Sequence, residues 1–337
     1  MNNQYKDFIN LLSNLTFRKA FNILKIYFSY HLSNFLKIPF HLGMPYTVSI
    51  EPTTSCNLAC SQCPSGMKSF SRPTGNLKSE TFKMIINQLH KNLIYLILYF
   101  QGEPYLNKNF FDFVKYAKEK KIYTATSTNA HFLNDENAQK TINSGLDKII
   151  ISLDGTDQKT YEKYREKGDF KTVISGIENL VKWKKKLNSS TPFIIIQFIV
   201  FKHNEHQIEE IKLLGNKLSV DKVEIKSAQI YDIENNYEMI PLNEKYSRYK
   251  IGEDGIYKIK NKLRNKCLRM WRGCVITHDG LVVPCCFDKD AKYQFGDLNK
   301  ENFNTIWKGT NYKLFRKKLL KSRKEIDICR NCTEGIS

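Results

Sequence analysis

The sequence has no apolar run long enough to cross a membrane. Segments such as Phe193–Val200, broken by Gln197, fall well short of the ~20 residues that a spanning helix needs. There is no internal repeat, which excludes a solenoid. Met1–Asp7 has no basic head leading into an apolar stretch, so nothing there reads as a secretory signal. Acidic residues are scarce at both ends: residues 1–50 hold five Lys or Arg against one acid, and residues 258–337 hold 19 against 8, within a net charge of +19. Arginine is scarce too, 10 against 43 lysines. The basicity therefore reads first as lysine spread over solvated surface, and second as a complement to nucleic acid, an anionic membrane or an acidic peptide. Cysteine is missing from the long stretch between Cys63 and Cys267, although the chain carries nine. What remains is ordinary for a folded protein. At 41% hydrophobic, 26% charged and 12% aromatic, 337 residues suffice for one large domain and a small one and exclude disorder as the main state.

The cysteines fall into two groups: Cys56, Cys60 and Cys63, then Cys267, Cys274, Cys285, Cys286, Cys329 and Cys332. An odd count at tight spacings without a secretory signal argues against a disulfide framework and for metal ligation in a reducing compartment. A structural zinc site takes four ligands, commonly as two close pairs. The first group offers three, spaced Cys-x3-Cys-x2-Cys. Three thiolates on a four-iron cluster leave one iron open to a small molecule. A three-cysteine zinc site completed by a distant His is the alternative.

Downstream, strand and helix patterns alternate. Helical periods cover Ser79–Leu89 (with Ser79 as N-cap), Phe110–Lys120, Ala138–Ser144 closing at Gly145, Val173–Leu187 and Glu205–Leu218. Strand-like runs cover Leu93–Phe100, Thr124–Thr128, Lys148–Leu153, Phe193–Phe201 and Val223–Lys226. With Tyr46–Pro52, these predict an α/β fold built on a parallel sheet or barrel. In a barrel the C-terminal ends of the strands carry the chemistry, and polar residues recur there: Gln101-Gly102-Glu103, Asn129, and Ser152 with Asp154. Residues 231–266 read as a bridging segment with a turn at Glu253–Gly255, and Val275–Val283 as a hairpin around Asp279-Gly280. Taken singly, the glycines serve equally well as turns, Asp154 as a helix cap and Arg165 as a solvated charge.

Cys56-Asn-Leu-Ala-Cys60-Ser-Gln-Cys63, after the strand-like Tyr46–Pro52, resembles the signature of radical S-adenosylmethionine enzymes. The resemblance implies a partial (β/α)6 TIM-like barrel. It implies a [4Fe-4S] cluster on Cys56, Cys60 and Cys63 whose open iron chelates S-adenosylmethionine, and reductive cleavage of that cofactor to a 5′-deoxyadenosyl radical that abstracts hydrogen from substrate. Gln101-Gly102-Glu103-Pro104 resembles the family's Gly-Gly-Glu-Pro motif, Ser127-Thr128-Asn129 its Thr-Asn-Gly segment with Ala130 in place of Gly, and Ile151–Gly155 its fourth-strand motif. Gln101, Gly102, Glu103, Asn129, Ser152, Asp154 and Arg165 are thereby expected to contact S-adenosylmethionine, Arg165 through the methionine carboxylate. Gln62 stands where relatives often place an aromatic residue beside the adenine.

Cys267-Leu-Arg-Met-Trp271, the Asp279-Gly280 hairpin, Pro284–Asp288, Gly296-Asp-Leu298, Ile306-Trp307 and Cys329-x2-Cys332 resemble the SPASM group of C-terminal extensions, in a shortened form. This implies a small β-hairpin-plus-helix iron–sulfur domain with one auxiliary [4Fe-4S] cluster on Cys267, Cys285, Cys329 and Cys332; exchange of Cys274 or Cys286 for one of these stays open. The expected organisation is an amphipathic helical segment over 1–45, a barrel over 46–230, a bridge over 231–266 and the auxiliary domain over 267–337. The reading is an enzyme acting on an unidentified peptide, sugar or lipid-linked substrate, fed by a low-potential donor of flavodoxin or ferredoxin type, with no nucleic-acid partner and no residue assigned as catalytic base. The 45 residues ahead of the barrel are too few for a leader-recognition domain, which weighs against the peptide. The competing class is a non-catalytic zinc protein that binds nucleic acid through its basic C-terminal region.

Within residues 17–37, Phe17, Phe21, Leu24, Phe28, Leu32 and Phe35 fall at helical spacing among Arg18, Lys19, Lys25 and Lys37. Such a stripe ordinarily packs onto its own barrel. The alternative is peripheral contact with an anionic membrane, which sets the expected location as cytoplasmic, with the inner membrane surface as its variant.

Overall fold

A computed structural model describes residues 3–231 and 233–333. In chain order the elements begin with helices α1 (Asn3–Ser13) and α2 (Phe17–Leu36), strand β1 (Thr47–Ile50), helices α3 (Pro64–Met67) and α4 (Ser79–Leu89), and strand β2 (Tyr95–Ile97). Alternation continues with α5 (Phe110–Glu119), β3 (Tyr123–Thr128), α6 (Asp135–Asn143), β4 (Lys148–Ser152), α7 (Gln158–Glu162), α8 (Phe170–Lys186), β5 (Phe193–Val200), α9 (Ile208–Lys217) and β6 (Lys222–Ser227). Then come α10 (Ile233–Asn236), β7 (Tyr249–Ile251), β8 (Tyr257–Ile259), α11 (Arg269–Arg272), β9 (Gly273–Ile276), β10 (Leu281–Val283), β11 (Gly296–Asp297), α12 (Phe303–Lys308), α13 (Thr310–Ser322) and α14 (Asp327–Arg330).

The chain divides into two compact units. One comprises Met1–Phe8, Cys56–Ser69 and Ala125–Lys260. In it β3, β4, β5 and β6 pair in parallel, Thr126 opposite Ile149, Ile151 opposite Ile196 and Ile196 opposite Val223. The β-branched residues are buried because helices cover parallel strands: Ile149, Ile151, Ile194 and Ile196 are each at most 1% exposed. Asn134, Asp157 and Asp169 cap α6, α7 and α8 through their side chains, supplying acceptors for helix amides that have no internal partner. Asp157, not Asp154, is thus the helix cap after β4. The segment after β6 folds into α10 and an antiparallel β7–β8 hairpin turning at Gly255, which has φ +72°.

The other unit comprises Ile9–Ser55, Phe70–Thr124 and Asn261–Ser337. There β1 pairs in parallel with β2 on one side and with β9 on the other, and β10 and β11 continue from β9 in antiparallel fashion. The expected Asp279-Gly280 hairpin is the β9–β10 pair, with Gly280 at φ +92°. Gly273 cannot carry a side chain, because a Cβ would stand 2.3 Å from the Thr47 carbonyl oxygen of β1. Ser79 differs from expectation: it is the first residue of α4, Lys78 occupies the cap position, and no side chain caps that helix. With six successive strand–helix units, the class is the expected one, an α/β fold with the parallel sheet of a partial barrel, plus a C-terminal hairpin-and-helix region.

The N-terminal stripe overturns its expectation. The buried residues of α2 are Lys19, Asn22, Ile26, Ser29 and Ser33, whereas Phe17, Phe21, Leu24, Phe28 and Phe35 are exposed. The inward side can be polar because its groups find local acceptors: the Ser33 hydroxyl bonds the carbonyls of Ser29 and Phe40, and Lys19 Nζ those of Asn14 and Lys121.

Candidate active site and auxiliary pocket

In the first unit, Cys56, Cys60 and Cys63 lie on the loop that leads into α3. They pack against a buried apolar cluster that includes Leu58, Tyr164, Phe201 and Ile230. The loop is pinned from three directions. Ala59 N–H donates to the Glu166 carbonyl at 3.0 Å, and Asn129 Nδ2 donates to Asn57 Oδ1 at 2.8 Å and reaches Cys56 Sγ at 3.8 Å. Gly66 of α3 lies so close that a Cβ would meet Cys60 N at 2.5 Å. Burial is the main force pushing the Cys60 thiol up, opposed by the Arg165 guanidinium. A cluster that takes a thiolate here must release that proton.

Arg165 donates from Nε to Asp154 Oδ2 at 2.6 Å and from Nη1 toward Cys60 Sγ at 4.0 Å. Asp154 is wholly buried and also accepts the Ile199 amide at 2.6 Å. Its backbone carbonyl takes Asn204 Nδ2. Burial raises its carboxyl pKa, and the Arg165 guanidinium opposes that rise. The carboxylate therefore holds one edge of the guanidinium fork in place. Asn129 directly follows β3 and precedes Ala130, a residue at φ +65°, the region that glycine favours. Ser152 closes β4. Asn129 and Arg165 thus contact the cysteine loop directly, and Asp154 is linked to it through Arg165.

Gln62 does something the sequence does not reveal. It is buried, donating to Asn236 Oδ1 and accepting the Tyr231 amide at 3.1 Å, so it ties the cysteine loop to the segment after β6.

In the second unit, Gln101, Gly102 and Glu103 follow β2 and are largely buried. Gly102 has φ +70°, and a Cβ on it would stand 2.4 Å from the Thr53 carbonyl oxygen. Glu103 donates its amide to the Ser55 carbonyl at 2.8 Å, and its carboxylate caps the short turn at Pro104–Leu106 by accepting the Tyr105 amide. Gln101 Nε2 bonds the Phe100 carbonyl. Gly102 and Glu103 thus brace the backbone just ahead of Cys56.

The same unit holds a pocket lined by Cys267, Cys285, Cys329 and Cys332 together with Arg269 and Arg323. Cys274 and Cys286 do not line it. Cys274 is buried beside Tyr312 and Arg316, while Cys286 accepts Arg269 Nη1 at 2.8 Å. Burial first, then the neighbouring Cys267 and Cys332, raise the Cys329 thiol to about 12, against the pull of Arg323. Arg323 is 1% exposed and donates from Nη2 to Cys332 Sγ at 3.3 Å and from Nη1 to the Lys266 carbonyl. Among the described residues, no three His, Cys, Asp or Glu side chains converge to hold a single ion. A four-iron cluster takes Cys thiolates one per iron, a donor type that the three thiols of the loop and the four thiols of the pocket both offer. Sequence reasoning missed Arg269 and Arg323, which stand out only as rare arginines in a lysine-rich chain.

Comparison with known proteins agrees with this geometry. A family model described as the radical SAM superfamily matches residues 50–214, and one described as an iron–sulfur cluster-binding domain, SPASM, matches residues 267–333. The chain is 26% identical to the tungsten-containing aldehyde ferredoxin oxidoreductase cofactor-modifying protein of Pyrococcus furiosus, over 79% of this chain and 82% of that one. It is 30% identical to a mycofactocin maturase of Mycolicibacterium smegmatis, over 52% of this chain but only 42% of that protein. It is 22% identical to the PqqA peptide cyclase of Bradyrhizobium diazoefficiens, over 72% and 67%. The fold matches Streptococcus suis SuiB, solved with S-adenosylmethionine, at a TM-score of 0.62 and 15% identity, covering 87% of this chain and 73% of that one. The three-thiol loop is therefore that of a radical SAM enzyme, and the chain belongs to the radical SAM superfamily with a C-terminal SPASM iron–sulfur domain.

Proposed function

We propose that this enzyme abstracts hydrogen from a residue of a peptide substrate, using S-adenosylmethionine at a cluster on Cys56, Cys60 and Cys63 and a single auxiliary cluster on Cys267, Cys285, Cys329 and Cys332. When bound, the first cluster and S-adenosylmethionine supply a one-electron cleavage that yields the 5′-deoxyadenosyl radical. This chain's residues bind and orient. Asp154 fixes Arg165 so that its fork presents donors to the methionine carboxylate. Asn129 and Gly66 set the loop's geometry. Gly102 and Glu103 shape the backbone ahead of Cys56, Gln101, Gly102 and Glu103 offer polar groups to the methionine amine, and Ser152 serves the carboxylate or ribose. The apolar packing of Leu58, Tyr164 and Phe201 around the thiols limits water at the site.

The observation that carries the single auxiliary cluster is the pocket lined by four of the six C-terminal thiols, with the other two outside its lining. The peptide is supported by the mycofactocin maturase and peptide cyclase relatives. The domain division is a barrel over 46–230, a bridge over 231–266 and the auxiliary domain from 267 onward. Radical SAM enzymes need a reductant, and a flavodoxin or ferredoxin type suits the one-electron chemistry.

The test is anaerobic incubation of reconstituted enzyme with dithionite, S-adenosylmethionine and perdeuterated peptides encoded beside its gene. Deuterium appearing in 5′-deoxyadenosine supports the peptide assignment. Cofactor cleavage with no deuterium from any such peptide, but transfer from a labelled sugar or lipid-linked compound, sinks it.

A further inference from the structure

Helix α2 is turned inside out relative to an ordinary surface helix. Its protein-facing side is mostly polar, and Asn22 clamps it down by bonding both the carbonyl (2.7 Å) and the amide (2.9 Å) of Met44. Its outer side is apolar: Phe17 is 89% exposed, Leu24 65%, Phe28 61% and Phe35 83%. The stripe continues past the helix end into Ile38, itself exposed. Leaving such side chains in water forgoes the free energy of burying them, and a contiguous patch of them marks a binding surface.

Charge says what covers it. Residues 8–50 contain no Asp or Glu. Flanking the stripe is a cleft of about 450 Å³ lined by Arg18, Phe21, Lys25, His41, Asn92 and Lys308, with no carboxylate in its wall. Arg18, Lys25 and Lys308 have no carboxylate partner among the described residues, and Lys25 lies over the Phe21 ring at 4.6 Å. A second copy meeting this face about a two-fold axis would set like charges against each other. An anionic lipid surface satisfies both halves at once, taking the aromatic stripe among its acyl-chain ends and the cations among its phosphates. The helix lies along such a surface and does not cross it, since no described helix is long and apolar enough to span a membrane.

We propose that α2 is an in-plane membrane anchor, with Phe17, Leu24, Phe28 and Phe35 inserted below the headgroups and the Arg18–Lys25–Lys308 cleft seating a lipid phosphate.

The test is co-sedimentation of the full-length, cluster-loaded protein with phosphatidylcholine vesicles, with and without phosphatidylglycerol. Pelleting should require the anionic lipid. It should fall at least about tenfold in R18E/K25E/K308E, since each cation near such a surface is worth about 1 kcal/mol, and comparably in F17S/L24S/F28S. Both variants should keep the wild-type cluster absorption and melting temperature, because all six side chains are exposed. The proposal fails if the wild type stays in the supernatant with anionic vesicles, or if all three proteins pellet alike. It also fails if inorganic phosphate, titrated alone, binds the cleft while vesicles do not, which would make this a free-anion site. A wild-type dimer in sedimentation equilibrium that F17S/L24S/F28S dissociates would assign the face to a second copy instead.

Discussion

Lysine is this chain's default cation, and five of its ten arginines occupy places where a point charge would not serve. Arg72 forks onto the buried Glu51 at 2.8 and 2.6 Å, Arg316 lies within 4.7 Å of both the Trp307 and Tyr312 rings, and Arg165, Arg269 and Arg323 touch thiols. Two predictions belong here. Asp154→Asn removes the charge that steadies Arg165 but keeps the shape, so S-adenosylmethionine binding should weaken about tenfold, the value of losing one charge-assisted hydrogen bond. Iron content should not change. Equilibrium dialysis of the reconstituted variant decides it, and an unchanged affinity would leave Asp154 as packing alone. Arg323→Met removes a buried cation beside Cys332. The reduced auxiliary cluster, which carries one more negative charge, loses more stabilisation than the oxidised one, so its potential should drop by on the order of 60 mV, about 1.4 kcal/mol for one electron. A spectroscopic redox titration that finds no shift would deny Arg323 any influence on the cluster.

Elements were mostly legible because their signals are local. Strand runs and helical periods found β2 through β6 and helices α4, α5, α6, α8 and α9 but not the short α7, with boundaries off by up to three residues where tertiary contacts extend or trim an element: the expected Leu93–Phe100 strand pairs only over Tyr95–Ile97. The orientation of α2 was not legible. Periodicity locates an apolar stripe but cannot say which way it faces, and the buried side is recognisable only from the bonds that Asn22, Ser33 and Lys19 make. Lys19 turns that packing into a pH dependence. Burial lowers its pKa to about 8, so between about pH 8 and the unfolded value near 10.5 the unfolded chain holds a proton that the folded chain has lost. Stability contributed by this group therefore rises with pH across that window and is reduced below it. Chemical denaturation of wild type and Lys19→Met should show the difference between them moving in favour of the wild type from pH 8 to pH 10, and a constant difference would refute it. At the end of β3, Ala130 keeps a left-handed backbone that costs a residue with a Cβ about 1 kcal/mol. Ala130→Gly should accordingly raise the melting temperature, and a fall would mean that the buried methyl matters more than the backbone conformation.

On the scale of the whole molecule, the spacing of cysteines carried most of the function, because ligation chemistry is tied to residue type and to short sequence distances. What spacing could not sort was the C-terminal six, since Cys285 and Cys286 are neighbours and only the fold decides which side chain turns inward. The contact pattern places the two thiol sets in different compact units, Cys56–Cys63 in one and Cys267–Cys332 in the other. Loss of one set should therefore leave the other loaded, as expected of sites with no shared partners. Wild type should hold about eight irons, two clusters of four. Replacing Cys56, Cys60 and Cys63 by Ala should leave about four irons and abolish cleavage of S-adenosylmethionine. Replacing Cys267 and Cys329 by Ala should also leave about four, with cleavage retained but uncoupled from substrate oxidation. Cys274→Ser and Cys286→Ser should each keep the full complement, because neither thiol lines the pocket. Iron assay together with 5′-deoxyadenosine yield separates these outcomes. Loss of auxiliary iron from Cys286→Ser with Cys285→Ser intact would reverse the assignment of that neighbouring pair, and loss of both clusters from either alanine set would show that the two sites load as one.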